Sequence, residues 1–316
     1  MRGMTNIPIF LSWTAMETLQ HDILRTLLYY DIWQYPLTAE EVYAFLPGSK
    51  LSFGDFCAFL ASGGVGESVG EYDGFYFVKP RTSAVVLERK ARQRHARRMW
   101  KMARLSTHII KRFPFVRGVF ISGDLSKDAT IPDSDVDFFI LTSPGRLWIA
   151  RALLILFKKA FLLNKKKFFC LNSFVTTDFL RLEEHNVYLA TEIGHLKPLY
   201  GSTLFHEYIA ANSWIKEYFP NFDVRFLPSV TPNDRRSTVQ RLLEAGFALL
   251  PADAVDGYLL QAMRRIWRKR YPQFDDATRD RIFRSTRQES RAYGGNFQDK
   301  ILSLYEHKLR EHGVAD

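Results

Sequence analysis

Cysteine is scarce: the 316 residues hold two, Cys57 and Cys170. That excludes a disulfide framework or a Cys-rich zinc site and points to a reducing compartment, so a cytoplasmic location is expected. Long apolar runs are also missing. The most apolar stretch, 145–164, is interrupted by Arg151 and cut short by Lys158-Lys159. A membrane span needs about 20 apolar residues, so this stretch reads as a helix packed on a sheet, and no membrane role is expected. Met1 to Trp13 has one Arg and too short an apolar run for a cleavable leader. The eight histidines show no His-Glu-x-x-His or other metal-ligand spacing. No Gly-x-Ser-x-Gly elbow occurs, and no GxxxxGK[ST] loop, which argues against a P-loop ATPase. His185, His195 and His206 fall in or near expected helices and read as structural.

Cations are scarce in one part of the chain only. Residues 1–80 hold four cations and nine carboxylates, a net −5 within an overall +10, which leaves +15 for the rest. Such asymmetry suggests an anionic partner for the later residues: nucleotide phosphates, nucleic acid or an acidic protein. What is plentiful is core material. Apolar residues make up 47%, charged residues 25%, and there are 26 Phe. The chain is globular, with two or three domains expected at roughly 100–200 residues each.

Apolar spacing near 3.6 predicts a helix from His21 to Trp33, ended by Pro36. Thr38 with Glu41 three residues on forms a capping box for a second helix, to about Phe45. Ser52 with Asp55 opens a third, ending near Ala61, and Glu71 to Val78 reads as a hairpin. Three helices and a hairpin resemble a winged helix over about residues 15–80. The third helix, Leu51 to Ala61, carries Asp55 and no Lys or Arg. A DNA-reading helix needs cations and polar donors, so a packing or protein-interaction role is favoured, with a protein partner for the acidic module. DNA reading stays open through the wing and Lys79-Arg81. Residues 88–105 follow as a long basic helix with eight cations between Arg89 and Arg104. It is either a solvated linker face or a stripe that binds a polyanion such as RNA or a triphosphate.

The most informative stretch is 115–142. Val116 to Ile121 reads as a strand that runs into Ser122-Gly123. After a loop, Ser134 to Leu141 reads as a second strand, a neighbour in sequence that is expected to pair with it in one sheet. Asp135 and Asp137 are two apart, so period-2 alternation puts both carboxylates on one face with Val136 on the other. Two such carboxylates repel unless a cation sits between them, and a hard ion such as Mg²⁺ bridges carboxylates to substrate phosphates. Gly123 lets backbone come close to a phosphate, and Lys127 supplies counter-charge. Phe168 to Val175 is a third strand, Leu180 to Tyr200 is expected to be helical, and 212–232 is a connector. Residues 234–314 read as several basic helices, with Leu242-Leu243, Phe247, Leu249-Leu250, Leu259-Leu260, Ile266 and Ile301-Leu302-Leu304 as core candidates.

Ser122-Gly123-Asp124, ten intervening residues, and Asp135-Val136-Asp137 resemble the signature of the DNA-polymerase-beta-like nucleotidyltransferase superfamily. The match covers roughly residues 113–180. The module order is similar to that of bacterial nucleotidyltransferase-domain proteins. The resemblance implies a mixed α/β (α+β) fold, a small mixed sheet flanked by helices, between a winged-helix-like module and a helical tail. The expected segments are 1–87, a basic linker helix 88–112, a core 113–230 and a helical region 231–316. It implies transfer of a nucleoside monophosphate from a nucleoside triphosphate to an acceptor such as RNA, a protein or a small molecule. In it, Asp135 and Asp137 are the catalytic residues that bind Mg²⁺ or Mn²⁺. Ser122, Gly123, Asp124, Ser126, Lys127 and Asn172 are the nucleotide-binding positions.

Two positions depart from the family pattern. Asp124 stands where Ser or Gly is usual, and a carboxylate there repels a triphosphate unless it turns away or binds metal. The third strand has no acid; Asn172 is its closest polar substitute, and Asp178 lies just past it. The third carboxylate often activates the acceptor, so its absence weighs on catalysis rather than on nucleotide binding. A nucleotide-sensing or interaction protein and a winged-helix nucleic-acid-binding regulator are the alternatives.

Overall fold

The computed structural model describes residues 12–163, 167–223, 235–247, 249, 251–291 and 297–314. The leader reading over residues 1–11, Lys165-Lys166, residues 224–232 of the connector, Asp234 and Leu250 lie outside them. The chain is a mixed α/β protein with two open sheets, of three and five strands.

The first part contains α1 (Trp13–Asp31), β1 (Leu37–Thr38), α2 (Ala39–Ala44), α3 (Phe53–Ala61), β2 (Val69–Tyr72) and β3 (Phe75–Val78). Its sheet has the order β1-β3-β2, all antiparallel. The expected capping box is present: Thr38 Oγ1 accepts from the Glu41 amide at 3.3 Å and Glu41 accepts from the Thr38 amide at 2.9 Å. α1 begins eight residues earlier than its apolar period suggested, because Ser12 caps it through the Ala15 amide. α3 turns Phe56 and Phe59 into the core and leaves Asp55 outside.

α4 (Ala84–Ile110) is the basic helix, 27 residues long. Its cations divide. Arg89 is buried, paired with Glu41 through two 2.7 Å contacts, and lies over the Tyr35 ring at 4.2 Å. Lys90 pairs with Asp73, and Arg92 with Glu88. These three belong to the protein's own packing. Arg94, Arg97, Arg98, Lys101 and Arg104 are exposed and make no ion pair among the described residues.

The five-stranded sheet has the order β7-β4-β5-β6-β8, with β4 (Val116–Ser122), β5 (Asp137–Thr142), β6 (Cys170–Thr176), β7 (Lys197–Tyr200) and β8 (Glu289–Arg291). β5 and β6 are parallel, joined through α6 (Leu147–Phe161); the other pairs are antiparallel. Side chains alternate across it. Val119, Ile121, Phe138, Ile140 and Phe174 face one core, shared with Ala96, Met99 and Ala103 of α4. Phe120, Phe139, Leu141 and Val175 face the other. That second core is continuous with Ile23, Leu27 and Phe45 of the first part and with α7 (Val187–His195) and α8 (Ser202–Ala211). The N-terminal segment is thus packed over one face of the large sheet.

Three expectations need correction. The stretch 180–200 is not one helix: α7 ends at His195 and β7 adds an edge strand, where Pro198, lacking an amide donor, is tolerated. β8 interrupts the C-terminal helices α10 (Thr238–Phe247), α11 (Ala252–Arg270), α12 (Asp276–Phe283) and α13 (Phe297–Glu311), and pairs with the far edge of the sheet. Of the core candidates there, Leu260 and Ile301 are buried, but Leu242, Leu243, Leu249, Ile266 and Leu304 are exposed. Leu249 lies between α10 and α11, and the other four sit on helix positions turned away from the core.

Candidate active site

β4 delivers Ser122 to a point directly opposite Asp137, the first residue of β5. The chain then turns at Gly123 into the short helix α5 (Gly123–Ser126). Gly123 has φ +64°, and a Cβ placed on it would stand 2.5 Å from Asp137 Oδ2. Glycine is required here twice over: by the left-handed backbone and by the carboxylate against it. Asp135 precedes the strand rather than lying in it. The alternation still holds, because the Val136 amide donates to the Lys167 carbonyl at 2.8 Å and its carbonyl accepts from the Cys170 amide at 3.1 Å. Val136 is fully buried, and Asp135 and Asp137 are half-buried on the opposite side.

The carboxylates crowd one another. Burial pushes the Asp137 carboxyl up to about 6; the Cys170 thiol, hydrogen-bonded to it, pulls the other way, and Asp135, Asp124 and Glu192 push it further up. Asp124 lines the cleft, with Oδ2 accepting from Ser134 Oγ at 2.7 Å. Glu192, on α7, is a carboxylate that sequence reading did not single out. Its Oε1 accepts from Lys127 Nζ at 2.7 Å, across a separation of 65 residues. Among the described residues, no group of three or more His, Cys, Asp or Glu side chains is disposed to hold a metal ion by itself.

These groups open into a cleft of about 420 Å³. Of the sequence-predicted residues, Ser122, Gly123, Asp124, Lys127, Asp137 and Asn172 line it. Asp135 does not. Ser126 does not either: it is buried, and its Oγ donates to the Gly123 carbonyl at 2.7 Å, closing the turn. Asp178 is exposed beyond the far end of β6. The cleft takes Asn172 from near the start of that strand, and Asp178 does not line it. The arginines of 264–287 do not line the cleft.

The rest of the lining comes from elsewhere in the chain. Tyr30, Trp33 and Tyr35 enter from the N-terminal segment, Arg92 from α4, Tyr188 from α7 and Phe297 from α13. The Tyr35 hydroxyl donates to the Lys127 carbonyl, which ties this part of the lining to the Gly123 turn. Tyr30 is fixed by a 2.6 Å hydrogen bond to His195 Nε2. His195 stacks on Phe45 at 4.4 Å, and burial holds its imidazole well below its ordinary range, so it is a neutral core group, as expected of the histidines. The resulting cleft is lined by carboxylates, one paired lysine and aromatic rings. Arg92 is the cation at its rim.

No family model, no curated protein and no solved structure matches this chain.

Proposed function

We propose that the protein is a Mg²⁺- or Mn²⁺-dependent nucleotidyltransferase that moves a nucleoside monophosphate from a nucleoside triphosphate to an acceptor. The observation that carries this is the meeting of Gly123 and Asp137: a bare backbone turn packed against a partly ionisable carboxylate at the floor of a nucleotide-sized cleft. Pockets for small ligands run to about 300–1,000 Å³.

A divalent ion suits the donors present. Asp135 and Asp124 stand close enough to Asp137 to raise its proton affinity, and a hard cation relieves that repulsion. Asp135 and Asp137 would hold it; Mg²⁺ needs only one or two protein carboxylates when substrate phosphates complete its shell. Bound there, the ion supplies charge neutralisation at the transferring phosphate and the departing pyrophosphate. The chain's own part is positioning. The Ser122-Gly123-Asp124 backbone leaves room for phosphate oxygens, Lys127 and Arg92 add positive charge, and the aromatic wall offers rings for a base to stack against. Asn172 and Glu192 also line the cleft and are the candidates for acting on the acceptor; Glu192 is the one carboxylate of the two.

A second reading is a nucleotide-binding sensor. It is favoured by Asn172, which occupies the third-strand position without an acid. The regulator reading loses ground because α3 has no cation and the N-terminal segment is occupied in walling the cleft. An acidic-module protein partner is likewise secondary to that role, and among the three acceptor classes the exposed cations of α4 suit RNA.

The test is label transfer. The protein is incubated with α-labelled triphosphates, Mg²⁺ or Mn²⁺, and RNA, protein or small-molecule fractions. Label should move to one fraction and vanish in the Asp135→Ala/Asp137→Ala variant. Binding of the triphosphate with no transfer from any nucleotide establishes the sensor instead.

A further inference from the structure

We propose that a second cavity, between α11 and α12, binds a small phosphate monoester. This cavity measures about 330 Å³ and shares no lining residue with the cleft. Three guanidinium groups reach it from one face of α11, those of Arg264, Arg265 and Arg268, and a fourth, Arg279, comes from α12. Arg264 and Arg268 are four apart on one helix, a like-charge spacing that destabilises it unless an anion lies between them.

The protein's own anions do not satisfy these groups. Asp276 accepts from Arg279 and, at 3.5 Å, faces Arg268; Asp280 pairs with none of the four. Arg264 donates through Nε to the Ser285 carbonyl at 2.9 Å and makes no other hydrogen bond or ion pair among the described residues. Arg265 makes none there at all. Arg279 is more than nine-tenths buried and its Nη groups hold Asp276 and the Tyr271 and Phe274 carbonyls, yet its Nε has no acceptor. The buried Trp267 indole N–H, on another lining residue, also has none. Four guanidiniums against two carboxylates leave a net charge of +2. A phosphate monoester carries about −1.5 to −2 at neutral pH and presents the oxygens that arginine forks engage in pairs.

The remainder of the ligand is organic. A ligand pocket of about 300 Å³ or more takes a small molecule rather than a bare ion. Trp267 and Phe283 supply its apolar wall, stacked on each other at 4.6 Å, with Tyr271 stacked on Phe283 at 4.7 Å. A nucleoside monophosphate and a sugar phosphate share this chemistry.

Titration calorimetry on the full chain with AMP, ribose 5-phosphate, inorganic phosphate and adenosine tests the site and separates the sources. At least one of the two esters should bind saturably, more tightly than inorganic phosphate, and adenosine should not. Arg265→Ala/Arg268→Ala should weaken the ester at least tenfold. Both side chains are exposed, so the melting temperature should not move; Arg265→Glu is the second variant and should weaken binding further. Asp137→Asn should leave this affinity within twofold. The proposal is overturned if neither ester binds, if inorganic phosphate or adenosine binds as well as the esters, if the arginine variants bind like the wild type, or if Asp137→Asn abolishes the binding instead.

Discussion

Asp137 stands against Gly123 so closely that no side chain fits there: a Cβ at Gly123 would lie 2.5 Å from Asp137 Oδ2. Gly123→Ala must therefore move the carboxylate and also hold φ near +64° with a side chain. The left-handed conformation alone costs about 1–2 kcal/mol for a non-glycine residue. We expect the melting temperature to fall by several degrees and triphosphate affinity to fall at least tenfold. Differential scanning calorimetry and nucleotide titration check this. Wild-type affinity in Gly123→Ala would show that the turn does not contact the nucleotide.

The acceptor side can be resolved by two variants. Asn172→Asp places an acid in the third-strand position of the cleft, and Glu192→Gln removes the acid that α7 supplies. A general base contributes about 10²–10⁴-fold. If Asn172 occupies the third site, the first variant speeds transfer by about tenfold or more. If Glu192 is the base, the second slows it by about 10²-fold and releases Lys127 from its 2.7 Å contact. Single-turnover rates with each variant separate the two, and unchanged rates in both would remove both residues from acceptor activation.

RNA as acceptor makes a salt prediction. The five unpaired cations of α4 lie on a helix whose Arg92 reaches the cleft rim. Each phosphate neutralised on a single strand adds about −0.7 to the slope of log affinity against log salt. Arg97→Ala/Arg98→Ala/Lys101→Ala should then flatten the slope by about 2. Fluorescence anisotropy with a labelled oligoribonucleotide between about 50 and 200 mM salt reads it. A flat wild-type response would point to a small-molecule or protein acceptor.

Lys197 predicts a pH dependence of stability. It is 6% exposed, and burial pushes its amine down to about 8, with Asp128 and Glu41 pulling it back up. Above about 10.4, the ordinary lysine value, both folded and unfolded chains are neutral there. Below 8 the folded chain must carry a buried charge that the unfolded chain carries in water. Its penalty is therefore complete below pH 8 and disappears as pH rises toward 10.4. Lys197→Met should raise stability at pH 7 by about 2–3 kcal/mol at most, and the difference should shrink to nothing near pH 10.5. Urea denaturation at the two pH values measures it. A difference that stays constant with pH would mean that packing, not charge, separates the variants.

Local chemistry was readable from the chain alone. The Thr38–Glu41 box, the glycine turn at 123 and the alternation of Asp135, Val136 and Asp137 each depend on residues within a few positions of one another, and each appears in the structure. The basic helix was equally plain, but not that Arg89 would be buried against Glu41, 48 residues away. β7 and β8 were missed because a short edge strand owes its existence to a partner strand's hydrogen bonds rather than to its own apolar pattern. The cleft itself was settled by packing. Tyr35 meets Lys127 across 92 residues and Tyr30 meets His195 across 165, because one apolar core joins the N-terminal segment to a face of the large sheet. Periodicity identifies a face to be buried, but hydrophobic burial is non-directional. What that face is buried against, and hence which rings and which carboxylate, Glu192, stand over Asp137, only the tertiary structure decided.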